Sequence, residues 1–461
     1  MVSIEFLYFF LPLFMGLYAV CTPSLRTKLI PLGAAFLTAW TDVRGLVPLG
    51  VSVLVSYLGG IFIFNLRKKP VRKRLVLTLC IAVELTAMIL LARSAYDGGS
   101  FFGLFGSNDP IKVFSAFGVM VYPVNSIAYC AEISRGRYEC EHRFFAVASY
   151  VCFFPTFVIG PLVSFDRLRE DLRAPVISFE KMSSGILQLL TGFACKLILS
   201  NGMYDIWRVF GTAETSEMTA LSAWLGSGVF GMFFFLELYS FSMIASGLSL
   251  MLGIELPYNF RSPARSVSFG ELMRRFNCSL YRFMRENIYL PCVRKSAGWA
   301  VIPAAFMSVF LTSLWYGFSV RCLIFGAAVY IIIMLERALK GLVRRLPIAV
   351  RRVIFWLLLM TVLPLLAYDN PAEAFEHIAK MYEPGADLTD PLLEYVLTTF
   401  PVVMLLGIYV ATGLNRFVKR RYNALHDYIK YIVRPIGVIA LLILTTSLLV
   451  STDAGLSGLL L

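Results

Sequence analysis

The sequence predicts an all-α, polytopic integral membrane protein of about 11–12 transmembrane helices, with one re-entrant or kinked segment and one cytoplasmic amphipathic segment. Three observations predict this class. Hydrophobic residues fill 58% of 461 positions, and the mean hydropathy of +0.74 exceeds what a soluble chain of this length carries. The apolar residues gather in runs long enough to cross about 30 Å of hydrocarbon. Lys and Arg, which set the net charge of +13, fall in short clusters between those runs, as they do in cytoplasmic loops. That clustering argues for a lipid bilayer as the partner and against nucleic acid.

The elements follow in order. Apolar runs at 4–20, 29–41, 46–64 and 75–93 make the first four spans, the second of them short. The opening Met1 to Glu5 has no basic start and no small-residue cleavage site ahead of its apolar run, so it reads as a retained span rather than a signal peptide. Arg67 to Arg74 is the densest basic run and places that connector in the cytoplasm. The loop with Asp97 and Asp109 is then outside, and a span at 112–131 returns the chain to Arg135, Arg137 and Arg143. The run at 144–163 is interrupted by Pro155 and by Gly160-Pro161, which break the helical hydrogen-bond ladder. Broken backbone at membrane depth needs protein or a water-filled cavity beside it, so this segment reads as kinked or re-entrant.

A span at 183–200 leads to an outer loop with Asp205, Glu214 and Glu217, and a long run covers 219–253. Residues 254–298 have no run long enough to cross; basic residues alternate with Phe276, Tyr281 and Phe283, as in an interfacial amphipathic helix. Spans at 299–317 and 320–336 form a hairpin, and spans at 353–368, 394–414 and 433–450 alternate with an acidic outer loop and a basic inner loop holding Arg416. The whole chain, 1–461, reads as one membrane domain without internal repeats, whose arginine-rich stretch and candidate active-site helix occupy 254–317.

Few groups in the chain suit catalysis. The nine cysteines form neither a CxxC pair nor a Cys/His ligand set, so no metal site is indicated. The three histidines, His142, His377 and His426, all fall in loops and read as solvated side chains. Glu84, Lys196 and Glu237 lie inside predicted spans, where an ionisable group is a functional candidate or half of a structural pair such as Lys196 with Glu237.

The order of several motifs resembles the membrane-bound O-acyltransferase family, in particular the bacterial branch that acetylates alginate and cell-wall polymers or passes D-alanine toward teichoic acid. The resemblance rests on Phe153-Phe154-Pro155-Thr156 with Gly160-Pro161, Lys196-Leu197-Ile198, and Glu237 through Gly253. Pro257-Tyr258-Asn259-Phe260, Arg274 through Pro291, and Trp315-Tyr316-Gly317 complete it. It implies an acyltransferase that binds no cofactor. An acyl group, acetyl above all, would pass from a cytoplasmic thioester of coenzyme A or an acyl carrier protein to an extracytoplasmic polysaccharide, cell-wall polymer or partner protein. The implied setting is the bacterial cytoplasmic membrane, with an extracytoplasmic SGNH-type acetyltransferase or a small membrane protein as partner. It also implies that Tyr316 and Asn277 are catalytic. Substrate binding would fall to Arg274, Arg275, Arg282, Arg285, Glu237, Lys196 and Trp315, the arginines steering an anionic donor.

This chain departs from the family pattern at the key positions. Tyr316 stands where the family has its catalytic histidine, Asn277 where it has histidine or asparagine, Met243 where the bacterial branch has aspartate, and Tyr258 where it has glutamate. A phenol with a reference pKa near 10 is protonated at pH 7 and accepts a proton poorly. Two other readings therefore stand beside the enzyme: a catalytically silent homologue that serves as scaffold or acyl or lipid binder, and a transporter built on Glu84, Lys196 and Glu237.

Overall fold

The computed structural model describes residues 4–41, 43–96, 110–157, 160–214, 218–294, 300–317, 319–384, 390–412 and 427–457. His426, Lys295, Asp97, Asp109, Glu217 and the basic loop at Arg416 lie outside the described residues. Among those described, every regular element is helical. Four helices, Val43–Asn65, Phe179–Gly211, Ala220–Met251 and Ile348–Ala367, are long and apolar enough to span a bilayer by length and composition alone. Shorter apolar helices such as Glu5–Val20 and Val301–Trp315 accompany them. The all-α membrane architecture is therefore present, with helix lengths less uniform than the apolar runs suggest.

Two compact units divide the chain: Met1–Gly192 with Phe241–Pro257 and Leu444–Leu461, and Phe193–Ser240 with Tyr258–Ile443. In the first, Phe6, Phe10, Phe14 and Tyr18 recur every four residues, so their rings stack along one helix face with centroids 5.4 to 5.8 Å apart. The segment expected to be broken is broken. Helix Phe144–Val151 stops, a single turn follows at Phe154–Thr156, and residues 160–164 form no regular element. The protein itself satisfies this backbone: Tyr150 donates to the Val163 carbonyl at 3.0 Å and Thr156 to the Phe153 carbonyl at 2.9 Å.

In the second unit, helices Val301–Trp315 and Val320–Ala338 form the expected hairpin. Its core joins Phe269, Val309, Val329, Phe355, Val362 and Leu365. Lys196 lies in a π-helical stretch, Cys195–Ser200, of the kind often found at functional sites. Its ammonium donates to both Glu237 oxygens at 2.9 and 2.7 Å, and Ser200 also donates to Glu237. The structural-pair reading of these two charges is the one observed.

The structure corrects four sequence expectations. The helix holding Lys196 runs on to Gly211, so Asp205 sits on a helix and not in a loop. The run at 394–414 is no straight span: Pro391–Thr399 and Pro401–Thr412 meet at 76°, because Pro401 lacks an amide proton and pushes Phe400 out of helical geometry. Of the segment 254–298, the described part, 254–294, is a chain of short helices rather than one amphipathic helix. Lastly, His377 is only 1% exposed. Its Nε2 lies 2.9 Å from the Ala223 carbonyl and 3.1 Å from the Ser227 hydroxyl, and Nδ1 lies 3.0 Å from the Tyr368 hydroxyl. Burial pushes its pKa below the usual imidazole value, although the Ala223 carbonyl favours the charged ring. His142, in contrast, is exposed as expected.

Candidate active site

Asn277 is placed by the sequence on both sides of it. Ser268 caps helix Phe269–Arg275 through a hydroxyl that accepts the Glu271 amide at 3.1 Å. The helix ends at Phe276, which is extended, and Asn277 then turns left-handed, with φ 50° and ψ 58°. Asparagine is one of the few residues other than glycine that visits this region readily. Its Oδ1 starts the next helix, Cys278–Met284, accepting the Leu280 amide at 3.4 Å and the Ser279 hydroxyl at 3.3 Å. Asn259 holds the same turn from outside: its carbonyl accepts the Cys278 amide at 2.7 Å, and its side chain accepts the Ser279 amide and hydroxyl at 3.1 and 2.8 Å. With Oδ1 so engaged, Nδ2 of Asn277 points away from the turn.

That amide donates to the Tyr316 hydroxyl at 3.3 Å, a long hydrogen bond. Tyr316 caps the end of helix Val301–Trp315, its backbone amide fixed 3.0 Å from the Ser313 carbonyl. The edge of its ring meets Phe234 with centroids 5.2 Å apart at 75°, and Phe234 in turn stacks on Phe276. Asn277 and Tyr316 are 4% and 7% exposed, so residues 39 apart in sequence form one buried polar contact.

The contact opens onto a cavity of about 210 Å³ within this unit. Phe234, Phe269, Met273, Phe276, Trp356 and Met360 are among the apolar residues of the wall, and Thr312, Ser313 and Tyr281 add polar edges. No His, Asp, Glu, Lys or Arg is among the lining residues. Because Asn277 donates to the phenolic oxygen, the Tyr316 O–H is left to act as a donor. An amide and a phenol without a neighbouring carboxylate or imidazole suit polarising a carbonyl better than removing a proton.

None of the other candidate residues is among those lining the cavity. Trp315 is buried but is not part of its wall. Glu237 and Lys196 are tied to each other. Arg274 and Arg285 are exposed and Arg282 is half-buried. Arg275 grips Glu271 at 2.7 Å. Burial works against the Glu271 charge, but the Arg275 guanidinium and the Val267 amide hold its carboxyl below the usual range. Sequence reasoning missed the distant wall from Trp356 and Met360, and also Asn259.

Comparison with known proteins places this geometry. Residues 119–367, more than half of the chain, match the membrane-bound O-acyltransferase family. A Pseudomonas putida protein described as probable alginate O-acetylase AlgI is 26% identical over 340 residues, which cover 72% of this chain and 70% of that protein. A protein of the same description from Azotobacter vinelandii is 25% identical over 430 residues, 89% of this chain and 84% of its own. A peptidoglycan O-acetyltransferase of Helicobacter pylori is 22% identical over 220 residues, 47% of this chain and 42% of its own. The matched region contains Asn277, Tyr316 and every residue of the cavity except Ala411, and the chain belongs to the membrane-bound O-acyltransferase family, a family of multi-pass membrane acyltransferases.

Proposed function

We propose that this protein moves an acyl group, acetyl in the first instance, from a cytoplasmic thioester to a hydroxyl of an extracytoplasmic polysaccharide or cell-wall polymer, with the reacting carbonyl held at Asn277 and Tyr316. The observation that carries this reading is the Nδ2 to Oη contact on the wall of a mostly apolar cavity. The acceptor oxygen attacks the thioester carbon, the C–S bond breaks, and the acceptor's proton ends on the leaving thiolate. The Tyr316 O–H donates to the carbonyl oxygen as negative charge develops on it, the role of an oxyanion-hole donor. Asn277 fixes the phenol and keeps its lone pair occupied.

With no imidazole on the wall, proton removal is unassisted, and turnover is slower by on the order of 10²–10⁴ than with a positioned general base. Exposed Arg274 and Arg285 attract the anionic donor, whereas Arg275 serves the Glu271 pair that braces the turn. The donor is a coenzyme A or acyl-carrier-protein thioester, the membrane is the cytoplasmic one, and an SGNH-type acetyltransferase or small membrane protein completes the relay outside.

The absence of a base from the wall also favours a second reading, in which the cavity binds an acyl group and does not transfer it. The test is thioester hydrolysis and acyl transfer by the purified protein and by Tyr316→His, with acetyl coenzyme A as donor. Turnover by the native chain supports the enzyme; if both proteins are inert while the donor still binds, the binder reading replaces it.

A further inference from the structure

A second polar cluster lies in the first unit, where helices Leu46–Asn65, Pro70–Tyr96 and Pro110–Ser134 pack together. Ser52 and Ser56, Cys80 and Glu84, and Tyr122 and Ser126 are each four residues apart, so each pair lies on one helix face. Glu84 is fully buried, at 0% exposure. Its Oε2 accepts the Ser52 hydroxyl at 2.7 Å, but its Oε1 has no hydrogen-bond partner among the described residues. The Tyr122 hydroxyl, 2% exposed, also has none, whereas the Ser126 hydroxyl, 0% exposed, is turned toward the Glu84 carboxyl. Ser126 stands beside the Glu84 carboxyl, and Tyr122 lies within its electrostatic reach. Pro123 has no amide proton, so the carbonyl of Val119 loses its helical partner one turn away.

Buried oxygens left in this way need a ligand, and a carboxylate in an apolar bundle needs an opposite charge. Among the side chains described, the groups hydrogen-bonded to Glu84 are hydroxyls, with no cation paired to it. The unpartnered oxygens are hard donors, and a single carboxylate balances one positive charge, whereas sites for divalent ions gather more carboxylates or waters. We propose that Glu84, with the hydroxyls of Ser52, Tyr122 and Ser126, binds a monovalent metal cation within the membrane bundle. This site shares no residue with the Asn277 and Tyr316 cavity.

The test uses the full-length protein in detergent. Its melting temperature is followed while NaCl or KCl replaces choline chloride at constant ionic strength, at pH 6, 7 and 8. A saturable rise of about 2 °C or more with at least one of the two cations is expected for the native chain. The rise is absent in Glu84→Gln and weakened in Tyr122→Phe. Equal curves in choline, sodium and potassium overturn the proposal, as does a response to pH alone, which means that a proton neutralises the carboxylate. Should Glu84→Gln fail to fold, radiolabelled sodium and rubidium (a potassium tracer) binding to the native protein and to Tyr122→Phe decides the matter. Saturable binding of either ion that Tyr122→Phe weakens supports the site, and no saturable binding removes it.

Discussion

Replacing Tyr316 with phenylalanine takes away one oxygen and keeps the ring. The contact with Phe234, centroids 5.2 Å apart, is retained, so the packing change is small. What is lost is the acceptor for Asn277 Nδ2 and the O–H that faces the cavity. Leaving the buried amide without its partner costs about 1–3 kcal/mol, toward the lower end because the 3.3 Å bond is long. Losing an oxyanion donor lowers the rate by about 10²–10³. The expected result is a protein that folds with a modest loss of melting temperature, binds acetyl coenzyme A as before, and transfers acyl groups at least a hundredfold more slowly. The assay is transfer to a soluble polysaccharide acceptor, with binding of the donor measured separately. If Tyr316→Phe turns over at the native rate, the phenol has no part in the chemistry and the donor role assigned to it is wrong.

Three further outcomes test the framework around the site. Lys196→Met leaves the Glu237 carboxylate buried without its cation and is expected to destabilise the fold by about 3–5 kcal/mol; Lys196→Met with Glu237→Leu recovers most of that in a detergent thermal melt. His377 has a lowered pKa in the folded state, so above about pH 6.5 both states are neutral at this residue and its penalty is nil. Below that value the unfolded ring takes up the proton that the folded one resists. Stability therefore falls between pH 6.5 and 5, and His377→Gln flattens that part of the profile. In Gly247→Ala the new methyl carbon would lie 2.6 Å from the Leu189 amide and 2.8 Å from the Gly185 carbonyl, both backbone atoms. A loss of about 1–3 kcal/mol in the same melt is expected, and no loss means the two helices can separate freely.

Much of the fold was legible because the bilayer imposes length and polarity together. The run at 219–253 became helix Ala220–Met251, and the proline-broken run at 144–163 became a broken helix whose carbonyls are satisfied by Tyr150 and Thr156. The bend at Phe400 was missed although Pro401 stood in the sequence, because an apolar run does not reveal which proline breaks a helix and which, like Pro31, is carried inside one. His377 misled because an acidic loop suggests solvent. Ala374, His377 and Met381 are three and four residues apart, the spacing of one buried face, and that signal outweighs the charge around it.

At the site, Asn277 and Tyr316 could be chosen from their place in a recognisable series of motifs, but their contact could not. It depends on a left-handed turn at residue 277 aiming an amide at a helix end 39 residues later. The arginines show the converse limit: four looked alike in sequence, yet Arg275 is committed to Glu271 while Arg274 and Arg285 remain exposed. The cavity wall was out of reach for a plainer reason. Phe234, Phe269, Val329 and Trp356 come from separate helices, and only tertiary packing brings them together.

The central claim, that an acyl group is held where Asn277 meets Tyr316, is tested most directly by photocrosslinking. A non-hydrolysable coenzyme A analogue with a small diazirine acyl group would be bound to the full-length protein, irradiated and mapped by mass spectrometry. The account predicts adducts on the cavity wall at Phe234, Phe276 or Tyr316, suppressed by excess acetyl coenzyme A. Adducts confined to other helices, or unaffected by that competitor, would contradict it.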